Sequence, residues 1–192
     1  MKAIFGVCLA ALFLAGCQTG GPKPGTLTRE QFDAPIRPGQ TRLALENPDT
    51  EKWTVHRLDS GSTARTVFIC RPLACAAPSV VTYARIVSPT RKPDREALQA
   101  LAIANTDSMK ADGWAIVSAA RVSTHRGFPS TYHVLRKEID GKMEYSHYTA
   151  VFAGNLAFSI SSRSANSDVA RRNLELFLNA VEIKDGGPRP RS

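Results

Sequence analysis

Asp140-Gly141 stands between two long runs of strand character, residues 130–139 and 142–153. Asp-Gly suits a two-residue type I′ turn, which needs a positive φ at both central positions. The pair therefore predicts an antiparallel hairpin, and the turn sets its register. Ile139 falls opposite Lys142, His133 opposite Tyr148 and His147 opposite Val134. Gly154-Asn155 marks a second turn into a strand over 156–162. Upstream, residues 114–124 read as a strand and Gly127-Phe128-Pro129 as the turn after it. The whole stretch predicts an antiparallel meander.

Two helices frame it. Asp94 has the character of an N-cap. Leu98, Leu101, Ala102, Asn105 and Met109 follow at helical spacing, and Asp112-Gly113 is a stop. In the second helix Ser167 is the expected cap, with Asp168 in the first turn, where the helix dipole favours an anion. Ala170, Leu174, Phe177, Leu178 and Val181 make one apolar stripe for packing on a sheet. Arg171, Arg172, Glu175, Asn179 and Glu182 face away. Before the first helix, residues 53–58, 65–70 and 80–87 are strand candidates, rich in β-branched and aromatic residues. Thr28 with Gln31 fits a capping box for one short helical turn, and Pro35, Pro38 and Pro48 prevent anything long. The reading is α+β: an antiparallel sheet covered by two main helices.

The N-terminus reads as an address. Met1-Lys2 precedes an uncharged apolar run over residues 3–16, then Cys17. A cation, a short apolar stretch and small residues form a secretory signal. The run is shorter than the about 20 residues that span a bilayer. Leu14-Ala15-Gly16-Cys17 resembles the lipobox of bacterial lipoproteins. That resemblance implies cleavage before Cys17 and a diacylglycerol on its thiol, a membrane-lipid anchor. Gln18 in place of Asp implies an outer-membrane address, as in enteric bacteria. Residues 1–16 are then the signal, 17–26 a lipidated, flexible tether, 27–184 one globular domain, and 185–192 a disordered tail.

Composition agrees with one ordinary domain. With 43% hydrophobic and 22% charged residues in 192, the chain is neither disordered, collagen-like nor a multi-span membrane protein. The net charge is +8. Export makes nucleic acid a poor partner for it. Anionic lipid, lipopolysaccharide phosphate or cell-wall carboxylate fits better.

Of four cysteines, Cys8 lies in the leader and Cys17 is the lipid site. Cys70 and Cys75 remain, an even pair in an oxidising compartment. Pro72 between them favours a turn, and a disulfide is expected.

The order of elements from Asp94 through Gly127-Phe128-Pro129, Asp140-Gly141 and Ala153-Gly154-Asn155-Leu156 to Phe177-Leu178 resembles the PsbP/DcrB-like superfamily. The likeness covers about residues 65–184. It implies a periplasmic or lumenal accessory protein and brings no shared catalytic motif. The chain also resembles envelope lipoproteins of alphaproteobacteria.

Motifs for chemistry are sparse. There is no G-x-S-x-G, S-x-x-K, P-loop or G-x-G-x-x-G. His125, His133 and His147 fall on or beside three consecutive strands, yet the hairpin register sends His133 and His147 to opposite faces. No catalytic residue, cofactor or metal is expected. Arg91, Lys92 and Arg95 surround the start of the first long helix and form a candidate anion-binding site. The expected function is an anchored envelope lipoprotein without catalysis, an accessory domain for periplasmic or surface proteins. The alternative is a binding domain for an anionic lipid or glycan, which predicts a deep pocket between sheet and helix, or a basic groove.

Overall fold

The computed structural model describes residues 29–60, 63–87, 93–154 and 156–187. A short α1 (Arg29–Asp33) leads to β1 (Thr41–Leu45). Three strands follow: β2 (Trp53–Ser60), β3 (Thr63–Cys70) and β4 (Ser79–Val87). After α2 (Arg95–Ala111) comes the meander β5 (Ala115–His125), β6 (Phe128–Ile139), β7 (Lys142–Ala153) and β8 (Leu156–Ser164). The chain closes with α3 (Ser167–Ala180) and β9 (Val181–Asp185). The fold is α+β, with one seven-stranded antiparallel sheet ordered β2-β3-β4-β8-β7-β6-β5.

The Asp-Gly hairpin forms in the expected register, with Ile139 opposite Lys142. Asp140 and Gly141 have φ of 51° and 72°, the two positive values a type I′ turn needs. The preceding turn differs from expectation. Phe128 and Pro129 belong to β6, and the turn is Arg126-Gly127, with φ of 49° and 80°. An arginine tolerates this left-handed site because its side chain is committed elsewhere. It donates to the carbonyls of Asn179 (2.8 Å) and Val181 (3.0 Å) and so caps the end of α3.

Two helix details also depart from the sequence reading. Asn166, not Ser167, is the N-cap of α3; its side chain accepts from the backbone N–H of Asp168 and Val169. Ser167 is instead the first helical residue. On α2 the buried positions are Leu98, Ala102 and Thr106, while Leu101 is exposed. Asp94 caps α2 as expected, accepting from the Ala97 N–H at 2.8 Å. Gly113 ends the helix with φ of 85°.

The helices lie on opposite faces of the sheet. α3 covers the face carrying Phe68, Val81, Val151, Phe158 and Ile160, all buried. Phe177 is its centre. Its ring meets Trp53 edge-on at 5.0 Å and tilts against Phe68 at 4.6 Å. On the other face α2 packs Leu98 over Ala150, Phe152 and Ala157. Both faces of β7 are therefore covered, Val151 and Ala153 on one side and Ala150 and Phe152 on the other. α2 meets β5 and β6 and leaves β2, β3 and β4 open on its side.

The N-terminal region, unreadable beyond one helical turn, pairs with the C-terminus. β1 lies antiparallel to β9, Thr41 opposite Asp185 and Leu45 opposite Val181. The first residues of the expected tail are therefore ordered. Asp185 ends a strand, and the Gly186 N–H donates to the Gln40 carbonyl at 2.9 Å. Arg29 and Asp33 of α1 pair with Glu182 and Lys184 of β9 respectively. These pairs are exposed and contribute little. Their hydrogen bonds hold the Asp33 carboxyl below the usual carboxylate range, through Lys184 first and Arg29 next.

Candidate functional site: an open groove on the sheet

A groove of about 890 Å³ opens where α2 stops short of the sheet. The register builds its floor row by row. Val67, Thr82, Ser161 and Tyr148 lie abreast on β3, β4, β8 and β7. Arg65, Ala84 and Ser159 form a second row, and Val80, Arg163 and Ser146 a third. α2 supplies a wall through Asn105 and Met109. Small hydroxyl side chains line the middle because this half of the sheet has no helix to pack on. The same strands carry Phe158 and Ile160 on their other, buried face.

Three cations border the groove: Arg65, Lys142 and Arg163. Among the described residues no carboxylate lies within ion-pair distance of any of them. The Arg163 guanidinium rests 5.1 Å from the centre of the Trp114 ring. On the α2 wall the Asn105 side-chain N–H faces Tyr148 Oη at 3.5 Å. The Asn105 Oδ1 is buried and has no protein partner. Burial raises the Tyr148 phenol above its ordinary value. A ligand here meets apolar walls, hydroxyl donors and acceptors, one vacant acceptor and net positive charge.

Of the three cations expected to bind an anion, the structure describes Arg95. Arg91 and Lys92 lie outside the described residues, as do the expected lipid site Cys17 and the rest of the expected signal and tether. Arg95 is exposed on the first turn of α2, where the Asp94 carboxylate already caps the helix. It does not line the groove. Arg65, Lys142 and Arg163 escaped the sequence reading because they come from three separate strands. The available signal was the alternation Ala157-Phe158-Ser159-Ile160-Ser161, apolar on one face and small on the other.

The histidines separate as the register predicts. His133 is buried on the α2 face, stacked on Tyr148 with centroids 4.7 Å apart. Neither of its ring nitrogens has a partner, and burial pushes its pKa down to about 4. His147 is buried on the α3 face. Its Nδ1 meets Tyr132 Oη at 2.7 Å and its Nε2 meets Ser167 Oγ at 2.9 Å. Burial, then the nearby Arg171, lowers its pKa. Among the described residues no group of three His, Cys, Asp or Glu side chains is placed to hold a metal ion.

Ser167 and His147 have the contact of a nucleophile and its base. Their surroundings differ from those of a catalytic triad. Tyr132 takes the place where a triad has a carboxylate, and although the Asp168 and Glu175 charges favour an imidazolium, burial and Arg171 outweigh them. The backbone N–H groups of Asp168 and Val169, the nearest oxyanion donors, are bound to Asn166 Oδ1 at 2.9 and 3.1 Å. The trio ties β6 and β7 to the start of α3.

Cys70 and Cys75 form a disulfide, with Cα atoms 6.2 Å apart. Between them the Ala74 N–H donates to the Arg71 carbonyl at 3.1 Å, closing a β-turn with Pro72 and Leu73 in the middle.

No family model matches the chain, and no curated protein matches its sequence. Solved structures do match. The crystal structure of LpqN, described as involved in cell envelope biogenesis of Mycobacterium tuberculosis, superposes with a TM-score of 0.50 at 14% identity. The match covers 77% of this chain and 86% of LpqN. What is shared is the fold. A protein of Bacteroides thetaiotaomicron matches over 81% of this chain with a TM-score of 0.48 and 13% identity. The match spans about half of that longer protein, 49%. Among the described residues no helix is long and apolar enough to cross a membrane.

Proposed function

We propose that this is an envelope lipoprotein without catalysis, anchored through acylated Cys17, whose α+β domain serves periplasmic or surface proteins as an accessory subunit. The observation that carries the reading is a lipobox-like Leu14-Ala15-Gly16-Cys17 ahead of a domain that shares its fold with LpqN, a protein involved in cell envelope biogenesis. The order of elements supports a PsbP/DcrB-like domain. The committed helix N–H groups beside Ser167 and His147 support a binding role over hydrolysis. The location that follows is the outer membrane, by lipid anchor. Cys17→Ala tests it. The variant is expected in the soluble envelope fraction, and a protein that stays with the membranes sinks the anchor.

The groove favours a second reading, a binding domain for an anionic lipid or glycan. Its volume of about 890 Å³ lies within the range of small-molecule sites, and among the described residues its bordering cations have no carboxylate partner. Flotation with phosphatidylglycerol vesicles tests the lipid half on the chain without residues 1–17. Binding that falls with Arg163→Glu supports the reading. Equal flotation of the variant, or none with either protein, removes it.

A further inference from the structure

Leu73 is fully exposed, the most exposed large apolar residue described. It also has φ of 67°, a left-handed conformation that is rare for a non-glycine residue. It sits third in the Arg71-Pro72-Leu73-Ala74 turn, where Gly or Asn is usual. No described residue packs on it. A solvent-facing turn under no other demand would take glycine there. The disulfide closes this turn at its base, so the leucine is displayed on a rigid support. Arg71 beside it is exposed, with one N–H on the Thr50 carbonyl at 3.2 Å and no carboxylate partner among the described residues.

We propose that the Cys70–Cys75 loop is the preformed contact by which the domain grips a partner protein. Leu73 would enter an apolar pocket, and Arg71 would meet carboxylates on its rim. The proposal deepens the accessory-domain reading and rests on it. Rigidity is the reason to choose a protein over a lipid surface. A fixed side-chain direction lowers the ordering cost of docking into a shaped pocket. It brings no advantage in a fluid bilayer, and the loop has none of the Trp or Tyr that anchor at membrane interfaces.

The test is photocrosslinking in cells that carry the full-length protein, with benzoylphenylalanine replacing Ala74 beside the intact Leu73. Ile103, exposed on α2, carries the probe in the control. The expected result is one discrete protein adduct from position 74 and none from 103. Leu73→Asp should reduce its yield roughly ten-fold or more, as losing a buried leucine does. Cys70→Ser with Cys75→Ser should reduce it likewise. Asp tolerates the left-handed conformation better than Leu, so an unchanged melting curve separates lost contact from unfolding. No adduct overturns the proposal, as does one indifferent to Leu73 and the disulfide. An adduct of two copies of this chain, or with lipid alone, overturns it too. Fractionation of Cys17→Ala is read separately. A missing adduct with an intact anchor counts against the loop alone.

Discussion

Acid should weaken this fold through His133, and the amount can be worked out. The ring is 1% exposed, its two nitrogens have no partners, and Tyr148 stacks beneath it. In the folded state it stays neutral down to about pH 4. The unfolded chain takes up its proton near pH 6.5. Between these values the unfolded state binds more protons, so stability falls as pH falls. The full contribution is present above pH 6.5 and is lost on passing down through 4. The gap corresponds to about 3 kcal/mol in all, of which about 2 kcal/mol goes by pH 5, above the carboxylate range. His147 acts in the same direction. The assay is therefore a comparison: urea unfolding at pH 7 and pH 5 for the natural chain and His133→Phe. Phe keeps the stack and removes two buried unpartnered nitrogens, so the variant should match or exceed the natural chain at pH 7. Between pH 7 and 5 it should lose about 2 kcal/mol less. Parallel losses in the two proteins would show that His133 titrates normally and that its burial has been misjudged.

Phe177→Ala should cost about 3–5 kcal/mol, because the ring is fully buried between Trp53 and Phe68; a loss under 1 kcal/mol in denaturant unfolding contradicts that core. Gly154 has φ of 60°, and a Cβ there would run into the Thr41 hydroxyl and come within 2.8 Å of Asp185 Oδ1. Gly154→Ala should therefore destabilise by about 2–4 kcal/mol and loosen the β1–β9 pair, seen as faster amide exchange in Thr41–Leu45. Unchanged exchange there would mean the two sheets are not in contact. The Cys70–Cys75 disulfide closes only a short loop, so reducing it should cost about 2 kcal/mol and leave the domain folded. Unfolding on reduction alone would give the disulfide a larger role than this loop explains.

Much of the meander was legible because its information is local. Asp140-Gly141 specifies a turn, the turn specifies a register, and the register assigns His133 and His147 to opposite faces. The same holds for Asp94 at the start of α2 and for the α3 stripe of Ala170, Leu174 and Phe177. The misread turn at Arg126-Gly127 was not local. Arg126 is suited to its left-handed position only by two carbonyls more than fifty residues away at the end of α3. Likewise β1 and β9 are short, and each is a strand only because the other is beside it. Neither can be seen from its own five residues.

The candidate site divides along the same line. Cys70 and Cys75 are close in sequence, so the turn at Pro72 was enough to pair them. That Leu73 stands clear of the domain was not visible, since exposure depends on what packs nearby. The groove belongs wholly to tertiary structure. Thr82, Ser161 and Tyr148 become neighbours only when β4, β8 and β7 align, and α2 decides how much of that face stays open. Turn chemistry and hydrophobic period act over a few residues, and the chain carries them by itself. A site made of side chains from separate strands exists only after the sheet has brought those strands together.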